Sequence, residues 1–219
     1  MAIISSGIND GTLLEIDPTF NAVKVGGFYV PENSGVYRAT LTSGTIASAT
    51  GAGIIFAFQN PSSIVTAIIL DVRIGFRPVA AATAGSQSVS LWATRSYTAI
   101  DTTGAAAAPT YKGQQLSSIR GEQFFANMRI ANTGMISGGT GNDDSQALSG
   151  LVFPYQSILA PGAGMLSFFS RTNGNFGWMQ YPLVCAQNEG FRIRADTVFP
   201  TSDTEVAKVD VEWVETTSF

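Results

Sequence analysis

The residues of this chain that could do chemistry are mainly carboxylates. Its 219 residues include no histidine and one cysteine, Cys185, so Ser-His-Asp and Cys-His catalysis and a Cys/His zinc cluster are excluded. The adjacent Asp143 and Asp144 are weak candidates for binding a cation such as calcium, because carboxylate oxygens are its preferred ligands. They lie in the turn-like residues 139–144, and further ligands would have to come from elsewhere. A solvated loop is the simpler interpretation.

Two other acid pairs could in principle serve glycoside hydrolysis, which needs two carboxylates on facing walls of a cleft. These pairs are Glu15 with Asp17, and Asp210 with Glu212. The second pair lies on the outer face of a predicted strand, where a cross-strand cation such as Arg192 or Arg194 would balance it. We therefore predict surface ion pairs, no catalytic residue and no cofactor, and hence a protein that is not an enzyme.

The overall charge bounds the class of partner. Twelve basic against sixteen acidic residues give a net charge of -4, which provides no positive field for nucleic acid or anionic lipid. Charged residues make up only 13% of the chain and hydrophobic ones 45%, so the surface must consist largely of small neutral residues. Such a surface loses its water at low cost, which favours lasting contacts with other proteins.

The start of the sequence bears on the location of the protein, and its single cysteine bears on disulfide bonding. Residues 1–6 lack the basic start of a secretory signal, and the apolar stretch 54–70 is interrupted at residues 59–61. We expect a protein that is made in the cytoplasm and has no membrane-spanning helix. Cys185 has no partner for an intrachain disulfide, and we predict that it is a small buried residue.

The elements that must position these residues are predicted to be strands, because apolar residues recur with period two. The longest series places seven residues on one face, with Asp71, Arg73 and Arg77 on the other: Ile64, Thr66, Ile68, Leu70, Val72, Ile74 and Phe76. A second series alternates Ala207, Val209, Val211 and Trp213 with Lys208, Asp210 and Glu212. Weaker series run through residues 37–41, 89–93 and 191–195, the last with Arg192 and Arg194 pointing outward.

Turn-forming clusters separate these strands at residues 31–35, 60–63, 138–145 and 171–177, and residues 102–109 resemble an exposed loop tip. A short helix is compatible only with residues 114–127. Many short strands with hardly any helix predict an all-β fold, an antiparallel β-sandwich of jelly-roll type.

The domain prediction is one β-sandwich over residues 28–219, preceded by residues 1–27, which form either an extended arm or a first strand. An arm could order on a neighbouring subunit by burying Leu13, Leu14, Ile16 and Phe20. Aromatic residues around Gly-rich turns are further interface candidates: Phe168, Phe169, Phe176 and Trp178. The simpler interpretation is that they fill the ends of the sandwich, and contact with glycans is a third alternative.

Several segments, taken in order, resemble a group of tailed-bacteriophage virion structural proteins. They are residues 11–13, 21–25, 35–38, 43–47, 55–58, 93–98, 101–104, 128–131 and 182–191, and a last segment running to residues 211–213. The resemblance extends over nearly the whole chain and is weakest at residues 133–148. It implies a virion location but carries no active site.

From this resemblance and the low surface charge we expect a subunit that decorates the capsid and stabilises the shell. Its partners would be other virion proteins, the major capsid protein first, and copies of itself in a closed ring such as a trimer. A tail or baseplate component is the alternative within the same class. A glycan-binding module that reads host sugars through Phe176, Trp178 and Tyr181 is the alternative from another class.

Overall fold

The computed structural model describes residues 35–47, 50–79, 85–108, 125–155, 165–170, 182–199 and 204–216, and five two-residue strands outside these ranges. For those short strands, and for Gly35, Val36, Tyr155, Phe169 and Ser170, only the backbone is described. All regular structure among these residues is β-strand, which confirms the predicted all-β class.

The described strands fall into three groups along the chain. Four short strands come first: β1 (Ile4–Ser5), β2 (Leu13–Leu14), β3 (Ile16–Asp17) and β4 (Ala22–Val23). The long strands of the first half follow: β5 (Gly35–Thr42), β6 (Gly53–Asn60), β7 (Thr66–Pro78) and β8 (Gly85–Ala99). The remainder are β9 (Ala105–Ala107), β10 (Tyr111–Lys112), β11 (Asn127–Ile130), β12 (Thr140–Asp143), β13 (Ser149–Tyr155), β14 (Leu166–Ser170), β15 (Leu183–Cys185), β16 (Glu189–Ala195) and β17 (Glu205–Thr216).

Two antiparallel sheets pack face to face, which confirms the predicted sandwich. The smaller sheet has the order β10-β5-β17-β7-β14, with β15 also paired to β7. The larger sheet has the order β12-β8-β16-β6-β11-β9, with β13 also paired to β8. The four long strands β5 to β8 alternate between the two sheets. The jelly-roll connectivity stays a prediction.

The core lies between the sheets and is built by the predicted alternation. The series from Ala207 to Trp213 is buried, and the Trp213 ring stacks on Tyr37 of the neighbouring strand at a centroid distance of 5.4 Å. Trp213 also meets Phe58 of the opposite sheet edge-on at 5.6 Å. Cys185 is buried in the same core, as predicted.

The long series in β7 changes face partway along the strand. Its register against β17 shifts because Glu212 pairs with Asp71, whereas Trp213 pairs with Ile69, which leaves Leu70 as the extra residue of a β-bulge. Ile69 and Val72 therefore belong to the main core, while Ile68 and Leu70 form a separate buried cluster with Val214. The prediction of a single face from Ile64 to Phe76 was wrong, and Ile64 lies exposed before the strand.

Two segments predicted to be loops contain strands. The Gly-rich residues 138–145 include β12, which pairs with β8, and residues 102–109 include β9, which pairs with β11. Most of the helix proposed at 114–127 falls outside the described residues, and its last residue, Asn127, begins β11.

In the opening segment, β1 pairs with β2 and β3 pairs with β4, and the arm itself stays a prediction. No helix in the described part is long and apolar enough to cross a membrane.

Candidate functional site: the Arg192 cluster and the sheet edges

A buried ionic cluster sits on the outer face of the larger sheet, centred on Arg192. Because Arg192 lies in β16 between the core residues Phe191 and Ile193, its side chain points away from the core. Its Nη2 donates to both carboxylate oxygens of Asp101 at 3.2 Å, and its Nη1 donates to Asp143 Oδ1 at 3.1 Å. Only 5% of the side chain is exposed. The outward direction was predicted, but the burial was not.

The acids of the cluster are brought to Arg192 by two segments that bind each other. The backbone N–H groups of Thr102 and Thr103 donate to the carbonyl of Ser137 at 3.3 and 3.2 Å. The N–H of Ser137 donates back to the Thr103 hydroxyl at 2.6 Å. A Cβ on Gly141 would lie 2.9 Å from both terminal nitrogens of Arg192, so β12 approaches the guanidinium this closely only with glycine there.

Tyr97 completes the cluster. The Arg192 guanidinium lies 4.8 Å from the centroid of the Tyr97 ring, in the geometry of a cation–π contact. Burial raises the pKa of Tyr97 to about 12. Burial alone would lower the pKa of Arg192, but Tyr97, Asp143 and Asp101 together raise that pKa above its usual value. Arg192 is thus a permanent cation, and the cluster acts as a clamp that holds β12 and the residue 101–104 loop on the sheet.

The candidate cation ligands Asp143 and Asp144 bind different partners. Asp143 accepts hydrogen bonds from Thr94 Oγ1 at 2.7 Å and from Arg192, whereas Asp144 pairs with Arg95. The two carboxylates therefore pair with different arginine residues. No group of three metal-binding side chains occurs among the described residues.

The acids of β17 form a second ionic group, on the outer face of the smaller sheet. Arg38 Nε and Thr40 Oγ1 each donate to Asp210 Oδ1 at 3.0 Å. Burial alone would raise the pKa of Asp210, but these hydrogen bonds lower it below its usual value. The predicted partners Arg192 and Arg194 were wrong, because they lie in the other sheet.

The outermost described strands are nearly free of charge. Strands β9, β13, β14 and β15 contain no charged residue, and the short edge strands β10 and β12 contribute only Lys112 and Asp143. The central strands hold most of the charge instead: Asp71, Arg73, Arg77, Glu189, Arg192, Arg194, Glu205, Lys208, Asp210, Glu212 and Glu215. Edge strands usually carry charges that prevent pairing with another chain. Here Pro154 in β13 is the main residue that would hinder it.

Exposed apolar residues lie on the edge strands, and an uncompensated cation lies next to one of them. Val152 of β13 is 60% exposed. At the opposite edge, Ala105 and Ala106 of β9 are exposed beside β11. Arg129 of β11 has a buried Nε without a hydrogen-bond partner, and no described carboxylate lies within 4.0 Å of it. The sequence did not single out Arg129, because an arginine among alternating residues looks like any solvated cation.

The structure places only one of the predicted interface residues with its side chain described. Phe168 is buried in the core, so filling the sandwich is the alternative that the structure supports for it. Leu13, Leu14, Ile16 and Phe169 lie in strands of which only the backbone is described. The others lie outside the described residues: Phe20, Phe176, Trp178 and Tyr181. No family model, curated protein or solved structure matches this chain.

Proposed function

We propose that this protein is a structural subunit of a tailed-bacteriophage virion, and specifically a protein that decorates the capsid exterior and holds its neighbours together. The observation that carries the proposal is the near absence of charge on the outermost strands of both sheets. The resemblance of segments along the chain to virion proteins supports this setting.

The uncharged edges favour strand addition between subunits. An edge strand presents unpaired N–H and C=O groups, and a partner strand satisfies them at the cost of removing water from the flanking side chains. That cost is small where those side chains are alanine, serine, glycine or valine, as in β9 and at Ser149, Gly150 and Val152 of β13. The same edges would be an aggregation risk in a free monomer, which fits a life within an assembly.

The buried ionic clusters suit the same role. The Arg192 clamp fixes β12 on the sheet, so the surface offered to a partner is formed before binding. Binding only to the assembled lattice then stabilises that lattice by mass action. The partner we propose is the major capsid protein, with copies of this chain arranged in a ring such as a trimer.

The test is to mix the purified protein with phage heads that lack it and to measure bound against free protein. We expect saturable binding and a rise in the temperature at which the heads break. Val152→Lys should weaken binding, because a lysine on an edge strand opposes strand addition. Ile64→Lys is the matched control, since Ile64 is equally exposed at 60% but lies outside the strands.

The outcomes separate the possible locations. Absence of saturable binding to heads, with binding to tails instead, would overturn capsid decoration and indicate a tail or baseplate component. Binding to neither, or equal binding by wild type and Val152→Lys, would count against assembly through this edge. Cryo-microscopy of the particle would then locate the subunit directly.

A further inference from the structure

Two arginines, Arg192 and Arg129, lie in one row of side chains on the outer face of the larger sheet. Among the described residues, carboxylates compensate the charge of Arg192 but not that of Arg129. The row crosses the larger sheet from Arg192 through Ala57 to Arg129 and then to Ala106 of the edge strand β9. Arg192 has two carboxylates within 3.3 Å. Arg129 has none within 4.0 Å among the described residues, and its Nε is buried without a partner. A cation in that position calls for an anion from outside this sheet.

The edge next to Arg129 lets such an anion come from an added strand. Neighbouring strands lie about 4.8 Å apart, so a strand added beyond β9 would be about 10 Å from β11. An extended arginine and a glutamate together reach across that distance, provided the residue between them is small. Ala106 is that residue, since it lies directly opposite Arg129 and is exposed. A longer side chain at this position would block the approach.

The requirements on the added strand are set by the other alanines of β9. Ala105 and Ala107 pair with Ile130 and Met128, which are both buried in the core. A strand added beside β9 would therefore place one acidic residue on the outer face opposite Ala106. Its two flanking residues would face inward and should be apolar.

The sequence of this chain contains one such triplet in its opening segment. Leu14, Glu15 and Ile16 alternate apolar, acidic and apolar, as the edge requires. We propose that residues 14–16 of one copy add to the β9 edge of a neighbouring copy, with Glu15 pairing to Arg129 across Ala106. This names the partner in the self-assembly part of the proposed function and rests on that part alone.

Transfer of the triplet replaces weak pairings. Within one chain, Leu13–Leu14 pairs with Ile4–Ser5, and Ile16–Asp17 pairs with Ala22–Val23, in ladders of two residues each. Addition to β9 offers a three-residue ladder, the burial of two apolar side chains and a charge pair. Exchange of a terminal segment between identical subunits closes a ring when the geometry repeats around an axis.

The test is a charge swap read by analytical ultracentrifugation of the full chain. Glu15→Arg and Arg129→Glu should each weaken self-association about tenfold, because each places like charges opposite one another. The double variant, Glu15→Arg with Arg129→Glu, should restore association towards the wild-type value. Circular dichroism of each variant reports whether the sandwich still folds.

A competitor variant tests the same contact without touching either charged residue. Ala106→Glu supplies a carboxylate to Arg129 from within the chain and fills the gap, so it should abolish association while leaving the fold intact. Ala108→Glu is its control, because Ala108 is exposed and lies just outside β9. Equal loss of association in both alanine variants would contradict a specific role for the position opposite Arg129.

The inference and the proposed function fail separately. A monomeric wild type, or a double variant no better than the single ones, overturns strand exchange even if the protein still binds heads. Restored association in the double variant, without any binding to virion parts, supports the exchange and overturns the virion role.

Discussion

Replacing Arg192 with methionine is the sharpest test of the buried ionic cluster. The exposed fractions of the side chains are 5% for Arg192, 3% for Asp101 and 15% for Asp143. Removing one member of a buried ion pair leaves an uncompensated buried charge and typically costs about 3–5 kcal/mol. Asp143 keeps its hydrogen bond from Thr94, so we expect the lower end, a loss of about 3 kcal/mol in the free energy of unfolding.

Urea unfolding measures this loss, and Arg194→Met is the matched control. Arg194 lies two residues away in the same strand, but its side chain is 41% exposed and its nitrogen is 3.6 Å from Asp143. Such an exposed pair contributes about 0–1 kcal/mol. Adding Asp101→Asn to Arg192→Met should recover part of the loss, because one buried charge is removed. If Arg192→Met cost no more than Arg194→Met, the clamp would not hold the structure as described.

Three further predictions concern single residues. The lowered pKa of Asp210 means that its stabilising effect is complete above its usual pKa of 3.8 and is lost at lower pH. The gap in unfolding free energy between wild type and Asp210→Asn should therefore shrink in acid, and a constant gap would contradict this. Gly190→Ala should destabilise by about 1–3 kcal/mol, because a Cβ would overlap the carbonyl oxygen of Phe58. Gly134→Ala, which meets nothing within 4 Å, should be neutral in the same urea titration. Burial raises the pKa of the Cys185 thiol, so a thiol reagent should label it only after unfolding, and rapid labelling of the native protein would refute this.

The parts of the fold that the sequence predicted correctly are strands with unbroken ladders. In β5, for example, period-two alternation matches the buried residues Tyr37, Ala39 and Leu41, because each residue has one opposite partner in β17. The longest alternating series failed in β7, because the bulge at Leu70 reverses the faces. A bulge depends on the partner strand, so the local pattern of β7 holds no sign of it.

The candidate site was harder to predict because its contacts join distant parts of the chain. Asp210 lies 172 residues from Arg38, and Asp101 lies 91 residues from Arg192. Period-two alternation places these residues on outer faces, but it does not tell which strands are neighbours. The Gly-rich residues before Asp143 have the composition of a turn, but they form a strand. The glycine at 141 lets this strand pass close to Arg192, a contact that the local sequence does not reveal.

The position of β17 has a consequence for how the protein is made. This strand lies between β5 and β7, so the smaller sheet cannot close until the ribosome has released residues up to 216. Until then the backbone groups of β5 and β7 that pair with β17 have no partner, and the core is incomplete. Such a state is prone to pairing with other nascent chains. Closure of the smaller sheet is therefore expected to follow synthesis of β17, and loss of this strand should prevent it altogether.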